Sequence, residues 1–552
     1  MSLNIGKTAL NNSQIALDLV GKNIAHANDP NYARQRLHIT STFDGNVVNR
    51  IEQAVSESLQ RDLVREQGRL GFLEKQEEIL TQIEDSINEL SDSDLSSTLD
   101  AYYQALEKLS LDPHDSALRR TAVEASIQVT DIFHSMSTGL SNIAERVDRE
   151  IGDHAEEINT LLTQIGELNI EVARREGATH DNPAADIRDR RHELVNELSG
   201  MMNVTTTELS NGSLLLQSDG RTLVFHGESR GVYIDRSDGT TRLRYNGDHS
   251  FVEPTGGTLG GLVQGRDDIV TAKQTDIDNL AAEFIWLNNS IHNSGRGTEG
   301  LTEIIADTKV SPNFIDDPLD EVIVDSLSIG NQFKPQNGSM EFEVRNEISG
   351  ETLTSTVNVT LVGDDKTTLQ DLADQIAQID QLDASVDRLG RLQISSSNGY
   401  SFFIKEDTSN ASSFLGLNNL FDGKDAASIS VNEDIVNSPS SLAVAQSESP
   451  GDNSNLLELI ASRDAILSDG RAFSQHYEDL VSDVASESGR ITSLKENQSR
   501  ILADVSERRN AFSGVNLDEE AANLLRFQQS YQAAAQYITV QNRLMDILFQ
   551  AI

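Results

Sequence analysis

Hydrophobic positions mark both ends of the chain with a seven-residue repeat. From Leu517, steps of four and three residues reach Ala521, Leu524, Gln528, Tyr531, Ala535, Ile538, Asn542, Met545, Phe549 and Ile552, all apolar except Gln528 and Asn542. This spacing predicts a long amphipathic helix sustained to the last residue. Asp518, Glu519 and Glu520 put negative charge on its first turn, where the helix dipole favours it. At the other end Leu3, Leu10, Leu17 and Ile24 recur every seven residues, with Gly6, Ser13, Val20 and Ala27 three further on in each heptad. The pattern stops at Asn28-Asp29-Pro30, a helix terminator. A lone helix of about 25 residues with its apolar stripe in water is marginal. The termini therefore need each other or neighbouring subunits, although a core built from the two ends of one globular domain fits the pattern as well.

Between these ends the pattern passes from helix to strand and back. Residues 31–40 alternate at Leu37 and Ile39 and predict a short extended piece. A helix follows to about Leu90, then a polar break over 91–97 and a shorter helix through Leu99, Tyr103 and Leu106. From about Asp115 to Gly177 the helical period hardly falters, which would make a rod of roughly 90 Å if unbroken. Gly139, Gly152 and Gly166 are places where it could kink. From about Met201, Asn211-Gly212, Asp219-Gly220, Asp238-Gly239 and Asn246-Gly247 separate short β-type runs, a hairpin signature. The glycine-rich 256–261 segment predicts a closing loop, after which Ile277, Leu280, Phe284, Leu287 and Ile291 restore a helix.

A second insertion, Leu301 to Pro439, contains strand-like VIVDSLSI, MEFEVRN, TVNVTLV, LQISSS and YSFFIKED and one helix through Leu369, Leu372, Ile376 and Ile379. Helix then resumes over about 454–510. The expected fold is multidomain and mainly α at both ends, a terminal coiled coil and a long-helix bundle, with inserted β-rich and α+β outer domains. Its expected divisions are a terminal coiled-coil assembly domain (1–35 and 517–552), a long-helix rod domain (36–200, 264–300 and 440–516), an antiparallel β domain (201–263) and an α+β outer insertion (301–439).

Composition narrows the function classes. The 552 residues carry 88 Asp plus Glu against 44 Lys plus Arg, a formal charge of −44. That balance argues against nucleic acid or an anionic membrane surface as a partner. With no cysteine, a disulfide framework, a cysteine zinc site and a thiol nucleophile are excluded. No apolar run approaches the roughly 18 residues of a membrane helix, and the N-terminus lacks the pattern of a cleaved secretory signal. Chemistry motifs are scarce. His192-Glu193 is followed by Asn196 where a zinc-binding HExxH needs histidine. The GxGxxG string at 295–300 follows a predicted helix where a dinucleotide site needs a strand. Acidic pairs such as Asp267-Asp268 and Glu519-Glu520 fit solvated surface in so acidic a chain, and Asp364-Asp365 is the pair with a cation-binding alternative to that reading. No catalytic, cofactor or metal site is expected.

The run SGVNLDEEAANLLRFQQSYQAAAQYI, from Ser513, is similar to the C-terminal signature of flagellar axial proteins. Its LDEE form, with Gln528 and Tyr531 in the QxxYQAAA that follows, resembles the hook-associated protein 1 family. The N-terminal segment matches that family's first-helix motif at Asn23-Ile24-Ala25, Ala27-Asn28, Pro30, Tyr32 and Arg34-Gln35. Asn31 occupies the usual glycine position, where a left-handed turn is tolerable for asparagine. The similarity continues through DPHDSALRRTAVEAS, ADIRDRRHELVNELSGMMNV and TLGGLVQGRDD.

The resemblance implies a non-enzymatic structural ring between hook and filament. It also implies export through the flagellar type III apparatus with an export chaperone, a hook protein below, hook-associated protein 3 above, and termini that fold together on assembly. The expected self-assembly seam is Leu3, Leu10, Leu17, Ile24, Leu517, Leu524, Tyr531, Ile538, Met545 and Ile552. The expected motif residues are Asn23, Asn28, Pro30, Tyr32, Asp518, Glu519, Glu520, Gln528 and Tyr531. Two rival readings stand beside it: another axial component of hook, rod or hook-associated protein 3 type, and a surface adhesion or enzymatic activity in the outer insertion.

Overall fold

A computed structural model describes the chain except residues 1, 30, 42–46, 88–93, 179–183, 238–239, 311–314, 316, 320–333, 364, 450, 466–469 and 551–552. Pro30, Ile552, the VIVDSLSI segment, Asp238-Gly239 and Asp364 therefore lie outside the described residues, as does the side chain of Leu3. In chain order the elements are α1 (Ser2–Ala25), β1 (Gln35–Ser41), β2 (Val47–Gln53), α2 (Glu57–Ile87), α3 (Leu95–Leu111), α4 (Ser116–Ala178) and α5 (Ala185–Met201). Six short strands follow: β3 (Thr205–Glu208), β4 (Leu214–Ser218), β5 (Arg221–Phe225), β6 (Glu228–Ser229), β7 (Val232–Asp235) and β8 (Arg242–Tyr245). Then come α6 (Gly257–Gln264), a π-helical turn (Gly265–Val270) and α7 (Thr271–His292). The insertion supplies β9 (Glu303–Ile305), β10 (Gly338–Asn346), β11 (Thr352–Val359), α8 (Leu369–Ile376), β12 (Leu382–Val386), β13 (Leu392–Ser396), β14 (Tyr400–Asp407), α9 (Ala411–Leu415), β15 (Phe421–Asp422) and β16 (Ser430–Val431). The chain closes with α10 (Glu433–Asn437), α11 (Ser454–Ala461), α12 (Phe473–Ser513) and α13 (Leu517–Gln550). The architecture is mainly α with long terminal helices and small inserted sheets.

The chain divides into two compact units, 1–79 with 145–267 and 488–552, and 80–144 with 268–487. In the first, α1 pairs with α13, β1 and β2 form an antiparallel hairpin, and β3 to β6 form a four-stranded sheet in sequence order beside the β7–β8 hairpin. Two of the glycines that raise the possibility of a kink in α4 serve close approach here. A Cβ on Gly166 would lie 2.9 Å from the Gly227 carbonyl, and one on Gly152 would lie 3.3 Å from Ile234 Cδ1. The helix runs through both as one element of 63 residues. The expected loop at 256–261 differs more: most of it is helix α6. Gly261 packs its backbone on α2, where a Cβ would stand 2.5 Å from the Phe72 carbonyl. Burial against that helix outweighs the roughly 1 kcal/mol per residue by which glycine disfavours helix.

In the second unit, Tyr102, Phe133, Phe284, Phe421 and Phe473 form one aromatic core around α7. Tyr102 donates to Asn288 Oδ1 at 2.7 Å, which satisfies its buried hydroxyl. The insertion has its own core, with Phe342, Leu369, Leu372, Ile376, Leu392 and Phe402 all fully buried between α8 and two three-stranded sheets ordered β11-β10-β14 and β12-β13-β9. The single helix expected over 454–510 is instead α11 followed by a short 3-10 turn and then α12.

Candidate functional site: the joint between the chain termini

Helix α1 ends at Ala25, and a chain of backbone bonds through His26 and Asp29 turns the strand away. The turn is closed by Asp29 Oδ1, which accepts from the Asn31 amide at 2.9 Å. The Tyr32 ring stacks on His26, with centroids 4.8 Å apart. Asn516 accepts from the amides of Asp518 and Glu519 and so caps α13 at its start.

The two helices run antiparallel. Gly6 faces Tyr537 and Ile538, Ser13 Oγ lies 3.1 Å from Ser530 Oγ, and Asn23 Nδ2 donates to Glu520 Oε2 at 3.1 Å. On α1 the buried row is Gly6, Ser13, Ala16, Leu19, Val20 and Asn23. Leu10 and Leu17 are half-buried, and Ile24 is exposed. On α13 the pair buries Ala534 and half-buries Leu524 and Ile538, and it buries Glu520 as well, against the expectation of solvated surface, because Arg34 and Asn23 bind its carboxylate. Leu517, Gln528, Tyr531 and Met545 stay exposed. Small residues face the partner because two helix backbones approach closely only where no bulky side chain intervenes.

At the base of this pair the two motifs interlock. Asn23 meets its whole hydrogen-bonding capacity: it donates to the Gln35 carbonyl (3.0 Å) and to Glu520, and it accepts from Tyr32 Oη (2.8 Å) and the Gln35 amide (3.1 Å). Arg34 forks between Glu519 and Glu520, each at 2.6 Å, and its amide donates to the Ser513 carbonyl at 2.8 Å. Burial opposes the Arg34 charge, but the two carboxylates more than offset it, so its pKa lies above the ordinary value. Burial, together with the charges of Asp189 and Glu520, pushes Tyr32 up and keeps it a neutral donor. Asn28 and Asp518 are exposed, one in the turn after α1 and the other at the start of α13.

A second layer holds the same strand from outside. Arg509 donates to the Asn31 carbonyl at 3.0 Å, and Gln53 Nε2 donates to Asp189 Oδ1 at 2.9 Å. Burial pushes Asp189 up to about 7, opposed by its bonds to Gln53 and the Ala33 amide and by the charge of Arg509. Gln53, Asp189, Arg509 and the Arg34 fork escape a reading of periodicity because each joins segments remote in sequence. Arg34 in one motif and the Glu519-Glu520 pair in the other carry opposite charges, and that was the available signal.

This arrangement is a mechanical joint, and it places the chain among structural proteins whose two ends fold as one element. Family comparisons make the class specific. A model described as flagellar hook-associated protein FlgK helical domain matches residues 80–304, and one described as flagellar basal body rod FlgEFG protein C-terminal matches residues 509–551. The chain is 23% identical to flagellar hook-associated protein 1 of Escherichia coli, covering 99% of this chain and 98% of that protein. For the proteins of the same name in Salmonella typhimurium and Bacillus subtilis, identity is 24% and 22%, with 99% of this chain covered in both cases and 99% and 97% of theirs. The solved structure of the flagellar hook junction protein FlgK from Burkholderia pseudomallei shares the fold, with a TM-score of 0.53 and 13% identity over 82% of this chain and all of that one. The chain is thus similar along 99% of its residues to flagellar hook-associated protein 1, and that likeness supports a structural protein of the flagellum that works in contact with other axial components.

Proposed function

We propose that the chain forms the junction between hook and filament, assembling with copies of itself in a ring through the paired terminal helices. The observation that carries this is the apolar surface the pair leaves exposed: Ile5 at 63%, Leu525 at 60%, Val540 at 56% and Ile547 at 57%. A surface helix that shows this much apolar area beyond its own partner is built to receive neighbours. The pair folds stably where hook subunits already present a complementary surface, so ordering of the termini is coupled to assembly. In this reading the protein is secreted by type III export with a chaperone, sits above the hook protein and below hook-associated protein 3, and performs no catalysis. Residues 1–35 and 517–552 are the assembly domain, the long helices form the rod, and residues 201–263 and 301–439 are the outer domains.

A hook or rod role is favoured only by the match over residues 509–551, which concerns the terminal pattern alone. The test is Leu524→Asp or Leu10→Asp: the outer domains stay folded by circular dichroism while incorporation into flagella is lost. Normal filaments built with either variant would refute the assignment of the terminal seam.

A further inference from the structure

Within the second unit, the insertion meets the end of α7 through polar groups. Leu415 and Leu417 belong to the core of the insertion, whereas Phe421 belongs to the aromatic core around α7. The link between them holds two left-handed residues, Gly416 (φ 74°) and Asn418 (φ 55°). His292 accepts from the Ala443 amide through Nε2, so its Nδ1 donates to the Asn418 carbonyl, at 2.8 Å. Asn293 Nδ2 donates to Ser413 Oγ at 3.0 Å and to Asn419 Oδ1 at 2.8 Å. Two cores joined by a polar contact are free to move against each other when that contact opens.

Two carboxyl groups meet across this link. Asp307 follows Ala306 of the insertion core, and a Cβ on Gly416 would lie 2.9 Å from its Cβ. Asp422 follows Phe421, whose amide and carbonyl are both held by the Asn289 side chain of α7. The Asp307 and Asp422 side chains are within hydrogen-bond reach of each other, and two carboxyl groups make that bond only with a proton between them. Asn432 Nδ2 donates to Asp422 Oδ1 at 3.2 Å, and Asp434 of α10 adds a further negative charge. From α7 come Asp278, which sits against Asp425 of the same β15–β16 hairpin, and His292, which burial lowers to about 4 and so keeps neutral. Lys309 and Lys424, the cations of the two facing segments, are exposed, and Arg296 is engaged by Glu343 at 2.8 Å.

We infer that this link is a pH-sensitive hinge: the proton that Asp422 holds against Asp307 locks the insertion onto α7, and its loss leaves facing carboxylates that loosen the contact. Burial first, and then the charge of Asp307, push Asp422 from 3.8 up to about 7. Opening returns the group to water and to its ordinary value, so closing takes up a proton. The lock is complete at low pH and is lost as pH rises through about 7. The Arg296–Glu343 pair holds the insertion on either side of that value, so the change is a local loosening.

The test is hydrogen exchange of the full chain at about pH 5.5 and about pH 8, corrected for intrinsic exchange and read over residues 413–432. Opening there should rise about 30-fold between the two values, while α8 in the insertion core keeps its protection. Asp422→Asn should remove the rise, and Asp307→Asn, a change at an exposed residue, should shrink it by taking away the charge that raises Asp422. Equal protection at both values in the native chain would overturn the proposal. So would a rise of the same size in both variants, or one shared equally by α8.

Discussion

Asn23 and Glu520 stand 497 residues apart in sequence and share a buried hydrogen bond of 3.1 Å, each about 1% exposed. Asn23→Ala strands the Tyr32 hydroxyl, both backbone groups of Gln35 and one oxygen of Glu520, and should cost about 2–4 kcal/mol. Glu520→Gln leaves Arg34 with only the exposed Glu519 and should cost about 1–3 kcal/mol. Urea unfolding of the two variants and the double variant measures both losses, and the double should lose less than their sum because the residues are coupled.

Gly6 tests how closely the helices approach. A Cβ there would stand 2.9 Å from Ile538 Cγ1 and 3.0 Å from the Tyr537 ring. Gly6→Leu should therefore push α1 away from α13 and cost about 1–3 kcal/mol, despite its better helix propensity. Hydrogen exchange over residues 2–25 and 517–547 should rise in this variant, and leave β10 to β14 unchanged.

Asp189 gives the joint a pH dependence of defined sign. Its carboxyl is pushed from an ordinary 3.8 to about 7 by burial, so the folded state holds the proton more tightly than the unfolded one. Its contribution is complete below pH 4 and is lost as pH rises through about 7, a loss on the order of 2–4 kcal/mol. The sequence pI is about 4.5, so solubility favours a comparison between pH 5.5 and 8. The stability difference between those values should shrink in Asp189→Asn, measured by urea unfolding at both.

Arg119 holds the second unit together without a carboxylate. Its Nε donates to the Pro113 carbonyl at 2.8 Å, and Nη1 donates to the carbonyls of Pro439, Ser440 and Leu442. Burial lowers it to about 10, so it remains charged at neutral pH. Arg119→Ala leaves these acceptors empty and should cost about 3–5 kcal/mol. Arg119→Lys cannot span them with its single nitrogen and should recover less than half of that, read as the thermal midpoint of the full chain.

Much of the fold follows from periodicity alone. The heptads at both ends, the long run from Asp115 to Gly177 and the Asn-Gly and Asp-Gly turns correspond to α1, α13, α4 and the hairpins of the β region. Which row of α1 faces its partner does not follow from spacing. Large and small residues repeat with the same period, and only the approach of α13 selects Gly6, Ser13 and Val20 over Leu10, Leu17 and Ile24. The helix α6 was hidden because four glycines mimic a loop unless one knows that α2 lies against them. Arg34, Asp189 and Arg509 gain their meaning from partners on other segments, and no local pattern announces a contact across nearly the whole chain.

The central claim is that this protein joins hook to filament, and electron microscopy of cells lacking its gene, with flagellin assayed in the medium, tests it most directly. The account predicts complete hooks without filaments and flagellin released into the medium. Missing hooks would make the chain a hook or rod component, and normal filaments would contradict a junction role altogether.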